Sequence, residues 1–193
     1  FGAAANPADV AAAGYELSAP TANRFCHIEW SIPLDVFTES IVSGAWPTMS
    51  VPDIPADYPA QLAATRALVA GFVRARGGQL SSIPTDAASR GRAFPTPRTW
   101  DYAARLLALA AAVGYSDDVA RLLVHGVIGA PTGHEFLTWR AALDLPDPEE
   151  LLARGGEGAF AGMRADRVHM SLQSVLAAVV GNRTPERWTA AME

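Results

Sequence analysis

The chain has 193 residues, half of them hydrophobic and 18% charged, with a formal net charge of −5. That length can bury a real core, and the balance belongs to a folded globular protein, not a disordered or polycationic one, so nucleic acid is not the expected partner. All fifteen basic residues are Arg and none is Lys, no run approaches the roughly 18 apolar residues of a membrane span, and the opening lacks the basic lead of a signal peptide, which together read as a cytoplasmic protein.

The opening, Phe1 to Ala5, is an apolar run that ends at Asn6-Pro7, the pattern of a short strand running into a turn. It has neither an initiator Met nor a capped lead-in, so it is expected to continue a domain that begins upstream. Pro7 to Ala13 can form one or two helical turns ending at Gly14, and Phe25 to Trp30 can form a second strand. Two strands alone make no stable sheet. Residues 1–42 are therefore read as the last part of an α/β core, and residues 43–59, which carry Pro47, Pro52, Pro55 and Pro59, as an extended connector. An unpartnered opening strand is expected to drive association.

From residue 60 to 193 the pattern is helical. Pro59 to Arg76 carries Leu62, Leu68, Val69, Phe72 and Val73 on one face and stops at Gly77-Gly78. Thr96 can cap the next helix with Pro97 in its first position, and Tyr102, Leu106, Leu109 and Val113 recur until Gly114. Ser116 can cap another with Val119, Leu122, Leu123 and Val127 inward, and further helices are expected at Pro131 to Leu143, Asp147 to Arg154, Ala165 to Val180 and Pro185 to Glu193. Val168, Leu172, Val175, Leu176 and Val179 form the buried stripe expected of the last long one. The fold class is mainly α, a remnant of an α/β core of about two strands followed by a helical domain.

Few residues have the types and spacing of a reaction centre. The lone Cys26, in an apolar stretch, reads as a small buried hydrophobe, and no His-x-x-x-His or Cys-x-x-Cys pairing suggests a metal site. Asn6 would project from the end of a strand, where open α/β folds bind ligands, and its amide can hold a water or a phosphate oxygen; an ordinary Asn-Pro turn is the plainer reading. Arg24 precedes the second strand, at the rim of the core, where its fork suits a phosphoryl transition state; a surface ion pair with Glu16 or Glu29, worth about 0–1 kcal/mol, is the alternative. Arg98 falls in the first turn of a helix, where a cation is disfavoured by about 0.3–1 kcal/mol. Either Asp101 offsets it at i,i+3, or an anion does, since a helix N-terminus with an Arg can clamp a phosphate.

Ala5-Asn6-Pro7, Asn23-Arg24-Phe25 and Thr96-Pro97-Arg98-Thr99-Trp100, in that order, resemble the second half of an AAA+ ATPase of the MoxR-like branch. The resemblance implies that Asn6 is the first sensor, Arg24 an arginine finger acting in trans and Arg98 a second sensor reaching the γ-phosphate in cis from a helical lid. It also implies ATP and Mg²⁺ in the parent protein, a homo-oligomeric ring, commonly a hexamer, chaperone-like remodelling, and a von Willebrand factor A domain protein as a partner. The chain departs from the family in two respects: without lysine it cannot hold a Gly-x-x-x-x-Gly-Lys-Ser/Thr loop, and it has no apolar strand ending in Asp-Glu for Mg²⁺. Both would lie upstream of Phe1, so the chain alone is expected to be inactive and to hold no nucleotide tightly. Two other readings stand beside it: a helical interaction or scaffold domain without nucleotide chemistry, and an inactive relative that binds nucleotide only as a structural ligand.

Overall fold

The computed structural model describes residues 2–6, 17–143, 145–155 and 158–192. Its central helix, α5 (Pro97–Val113), is set at both ends by local chemistry. The Thr96 hydroxyl accepts from the Thr99 amide while the Thr99 hydroxyl accepts from the Thr96 amide, a reciprocal capping box with Pro97 in the first turn. Gly114, at φ 78°, ends the helix in the left-handed conformation that a Cβ would penalise.

Around it lie α3 (Tyr58–Ala75), α6 (Asp117–Ile128) and α7 (Ala130–Leu143), each packed on its neighbour, with α9 (Ala165–Gly181) against the other side of α3. Short helices α8 (Pro148–Arg154) and α10 (Pro185–Met192) rest on α9. The core is aromatic: the rings of Phe72, Trp100 and Phe136 sit 5.3 to 5.5 Å apart by centroid, tilted or edge-on, and Trp139 adds a fourth ring 5.5 Å from Phe72. Such geometries add about 0.5–1.5 kcal/mol per pair beyond burial.

Small residues let these helices approach. A Cβ on Gly71 of α3 would collide with Met170 Sδ of α9, and one on Gly181 would lie 2.8 Å from the Ala60 Cα. The buried face of α5 is Trp100, Ala103, Ala104, Leu107 and Ala108, whereas Tyr102, Leu106, Leu109 and Val113, the stripe the large residues suggest, are only half-buried. Likewise α6 buries Val127, as expected, with Ala120, Val124 and Ile128 and leaves Leu122 exposed, and α9 buries Val175 and Val179, as expected, with Met170, Ser171 and Ser174 while exposing Leu172 and Leu176. The helix positions agree with the sequence reading, and the buried faces keep part of the expected stripes and add alanine, glycine and serine positions.

The chain is mainly α, as expected, but the two strands expected at its start are not formed among the described residues. Residues 2–6 and 26–33 have no regular structure. The reason is visible at His27, whose amide donates to the Gly126 carbonyl of α6 at 2.7 Å and not to a neighbouring strand. The helical turns expected at Pro7 to Ala13, and Phe1 itself, lie outside the described residues. Three helical segments have no counterpart in the sequence reading: α1 (Ala19–Ala22), α2 (Leu34–Ser43) and α4 (Ala87–Arg90).

Candidate functional site

The two arginine motifs meet at the N-terminus of α5. Helix α1 is a single turn opened by Pro20, and it delivers Ala22 and Asn23 into the interior, both buried. The Asn23 amide donates to the Phe94 carbonyl at 3.3 Å, and its Oδ1 accepts from the Thr96 hydroxyl at 2.8 Å. Beyond it, the His27 ring nitrogen bonds the Ala22 carbonyl at 2.9 Å, and Cys26 Sγ faces the Leu123 carbonyl at 3.7 Å. Glu29 pairs with Arg92 at 3.0 Å. Residues 22–29 thus lie across the approach to α5 and the end of α6.

Arg24 leaves this seam for solvent, its guanidinium folded back onto the Pro20 carbonyl; it does not pair with Glu29, which Arg92 occupies, and Glu16 lies outside the described residues. Arg98 is also exposed and makes no hydrogen bond or ion pair among the described residues. Asp101, its expected i,i+3 partner, turns away and accepts from Arg66 at 3.0 Å and Arg105 at 2.6 Å. The Arg105 hydrogen bond first, and then that of Arg66, hold the Asp101 carboxyl below its usual range. Asn6 is exposed and in coil, and no described hydrogen bond joins it to either arginine.

Behind the site α5 is braced. The Trp100 indole donates to the Gln79 carbonyl at 2.8 Å, and the Gln79 amide donates to Glu135 at 2.9 Å and accepts from Thr132 at 3.0 Å. Arg76 completes the set on Glu135 at 3.1 Å. These bonds tie the end of α3 and the start of α7 to the first turn of α5, so Arg98 is carried on a fixed backbone.

Beside Arg98, α3 and α5 enclose an open slot of about 240 Å³, lined by Val69, Ala70, Val73, Leu80, Pro97 and Trp100, with Arg66 and Asp101 at its edge. Among the described residues no three His, Cys, Asp or Glu side chains gather to hold a metal ion. Among them, too, no helix is long and apolar enough to cross a membrane.

The arrangement offers an anion the positive end of the α5 dipole and a guanidinium that is unpaired among the described residues, although Pro97 has no N–H and the Thr99 N–H is already taken by Thr96. The sequence reading missed Asn23, although an amide between Ala22 and Phe25 at the edge of an apolar stretch is the kind of residue that needs a buried partner. The chain matches no family model, no curated protein and no solved structure.

Proposed function

We propose that this chain is the sensor-and-lid part of an ATPase resembling the MoxR-like AAA+ enzymes, coupling ATP hydrolysis to protein remodelling. The observation that carries the reading is Arg98, which stands unpaired among the described residues in the first turn of a capped helix whose N-cap is hydrogen-bonded to the residue before Arg24. A cation left there without a carboxylate is suited to a phosphate. In this reading Arg98 contacts the γ-phosphate in cis, and Arg24 reaches the site of a neighbouring subunit to offset charge on the transferring phosphoryl group. An arginine in that role is worth about 10³–10⁵ in rate. Since the chain has no lysine, the phosphate-binding loop and the Mg²⁺ ligands have to be supplied by other polypeptide. Asn6 would orient the attacking water.

The test is ATP turnover and nucleotide binding by the full-length protein that contains this chain. Arg24→Ala is expected to remove hydrolysis and spare binding, and Arg98→Ala to weaken both. Unchanged turnover in Arg24→Ala would sink the trans role. A second reading, a helical interaction domain without nucleotide chemistry, is favoured by one observation: among the described residues α2 has no extensive packing on another helix and exposes Leu34, Phe37, Ile41 and Val42. That reading predicts a full-length protein with no ATP turnover and no response to Arg98→Ala.

A further inference from the structure

The charge of this chain is unevenly spread. Residues 58–116, which run from the start of α3 past the end of α5, hold seven of the fifteen arginines and only two of the twenty Asp and Glu residues, Asp86 and Asp101, although the chain as a whole carries −5. Neighbouring elements offset part of this: Glu135 takes Arg76, Glu29 takes Arg92, and Asp101 is shared by Arg66 and Arg105. Among the described residues Arg74 and Arg98 are left without a carboxylate. An acidic protein therefore presents one basic surface.

That surface surrounds the slot between α3 and α5, whose floor is apolar, with Val69 and Val73 from one helix and Trp100 from the other. At about 100° per residue, Arg66, Ala70 and Arg74 follow one another along the exposed side of α3. Arg98 and Arg105 share the exposed side of α5, within about 60° of the slot-lining Asp101. The arginines thus stand on the solvent shoulders of the slot and not behind it. Its volume of about 240 Å³ is below the roughly 300–1,000 Å³ of a pocket that takes in a whole small molecule, and it suits one large side chain presented from outside.

We infer that the slot is the docking site of a partner protein, which enters through a short acidic segment whose Leu, Phe or Trp side chain fills the slot while flanking carboxylates meet the arginines on its shoulders. The charge pattern selects this occupant. A basic segment would meet cations on both shoulders, and like charges facing each other across an interface are costly. A nucleic acid would find the cations but no ring to stack on, because Trp100 is only 2% exposed and its indole N–H is spent on the Gln79 carbonyl. An uncharged segment would leave Arg74 and Arg98 without the carboxylate they lack in the free chain. A helix laid in the groove turns its row of apolar anchors to the floor, and the positions beside that row face the two shoulders, as e and g flank a and d in a coiled coil. Arg98 serves the γ-phosphate in the reading above, so this inference is tested at Ala70 and Arg74 and needs no nucleotide.

The probe is a library of random peptides displayed on phage, selected on the nucleotide-free 193-residue chain and counter-selected on Ala70→Glu. Ala70 lines the slot from an exposed position, so a Glu there fills it and lies one turn from Arg66 without entering the core. Arg74→Glu reverses a shoulder charge at an exposed site. Circular dichroism confirms that both variants fold as the wild type does. The selected peptides are expected to be net acidic, with a Leu, Phe or Trp among the acids. By fluorescence anisotropy the leading peptide is expected to bind the wild type at least about tenfold more tightly than either variant, the scale of one lost buried side chain, and to weaken as salt rises. Selection that yields no peptide preferring the wild type to Ala70→Glu, or only neutral or basic peptides, would overturn the proposal. So would displacement of the leading peptide by an oligothymidylate as readily as by its own unlabelled form, which would point to nucleic acid. Self-association of the unliganded wild type that Ala70→Glu abolishes in sedimentation would overturn it too, by making the occupant a second copy.

Discussion

Thr96 donates its hydroxyl to Asn23 Oδ1 across 2.8 Å, and Asn23 donates onward to the Phe94 carbonyl at 3.3 Å. The residue before Arg24 and the N-cap of the helix that carries Arg98 therefore share one buried network. Thr99 closes it, donating to the Phe94 carbonyl at 3.0 Å while holding the Thr96 amide at 2.8 Å. Each polar atom in this cluster has a partner, which makes the seam between residues 22–29 and α5 specific and not merely apolar.

Asn23→Ala removes one donor and one acceptor from that network. Thr96 can turn its hydroxyl elsewhere, and Phe94 keeps Thr99, so the loss should fall near the lower end of the about 1–3 kcal/mol typical of a buried orphaned group. Urea denaturation of the single variants Asn23→Ala and Thr96→Val and of the double variant measures the coupling directly. A coupling of at least about 0.5 kcal/mol is expected for residues in one network. Strict additivity would mean that the bond contributes nothing to stability.

Gly126 has no room for a side chain. A Cβ there would lie 2.6 Å from the His27 carbonyl oxygen and 2.7 Å from Cys26 Sγ, and the first of these is backbone that cannot swing aside. Gly126→Ala should push residues 26–29 off α6 and break the His27 amide bond to the residue 126 carbonyl. Burial raises the Cys26 thiol above its ordinary range, which keeps it in the unreactive protonated form. Labelling by a thiol reagent at neutral pH should therefore be slow in the wild type and several-fold faster in Gly126→Ala. Equal rates would show that the segment is not held by this contact.

Arg187 joins three helices through one fork. It pairs with both oxygens of Glu149 at 2.8 and 2.7 Å and also donates to the Ala178 carbonyl at 3.1 Å. A lysine keeps the charge and cannot reproduce that geometry, so Arg187→Lys should loosen α10 nearly as much as Arg187→Ala. Hydrogen exchange over residues 185–192 is the readout, and full protection in the lysine variant would reduce the contact to simple charge attraction. The Arg187 hydrogen bond holds the Glu149 carboxyl below its usual range, so this contribution is present above the unfolded carboxylate pKa. It is lost as pH falls through the lower folded value.

Much of the helical layout was legible. Thr96-Pro97 and Gly114 mark α5, and Pro148 with Asp147 opens α8, because caps act on their own few residues. The buried faces were less legible, since Leu106, Leu122, Leu172 and Leu176 drew the eye where Ala104, Ala108, Gly126 and Ser174 make the contacts. Volume at an interface depends on how closely two backbones approach, and that is a property of the pair. The segment Phe25 to Trp30 has the composition of a strand, but strand formation depends on a partner, and its described backbone amides go to the preceding turn, from Phe25 to Ala22, and to α6, from His27 to Gly126. Arg98 in a first turn was legible, whereas the diversion of Asp101 to Arg66 was not, because Arg66 belongs to another helix.

His125 supplies the last prediction. Its Nε2 is buried without a hydrogen-bond partner, and the ring lies against α7, where a Cβ on Gly133 would come 2.5 Å from its Cδ2. Burial above all, then Arg121 on its own helix and His134 on α7, lower its pKa from the ordinary value of 6.5. The folded state therefore binds fewer protons than the unfolded one once the pH drops below about 6.5. Stability should fall with pH through that window, by at most about 1.4 kcal/mol per pH unit for one proton, and level off below the folded pKa. Urea midpoints at pH 7.5 and 5.5 should differ in the wild type and differ less in His125→Gln, whose amide cannot gain a charge. His27, His134 and His169 remain in both proteins, so only the difference between the two profiles belongs to His125. If the profiles were parallel, the imidazole would be reaching water when protonated, and the α6–α7 contact would not hold it neutral.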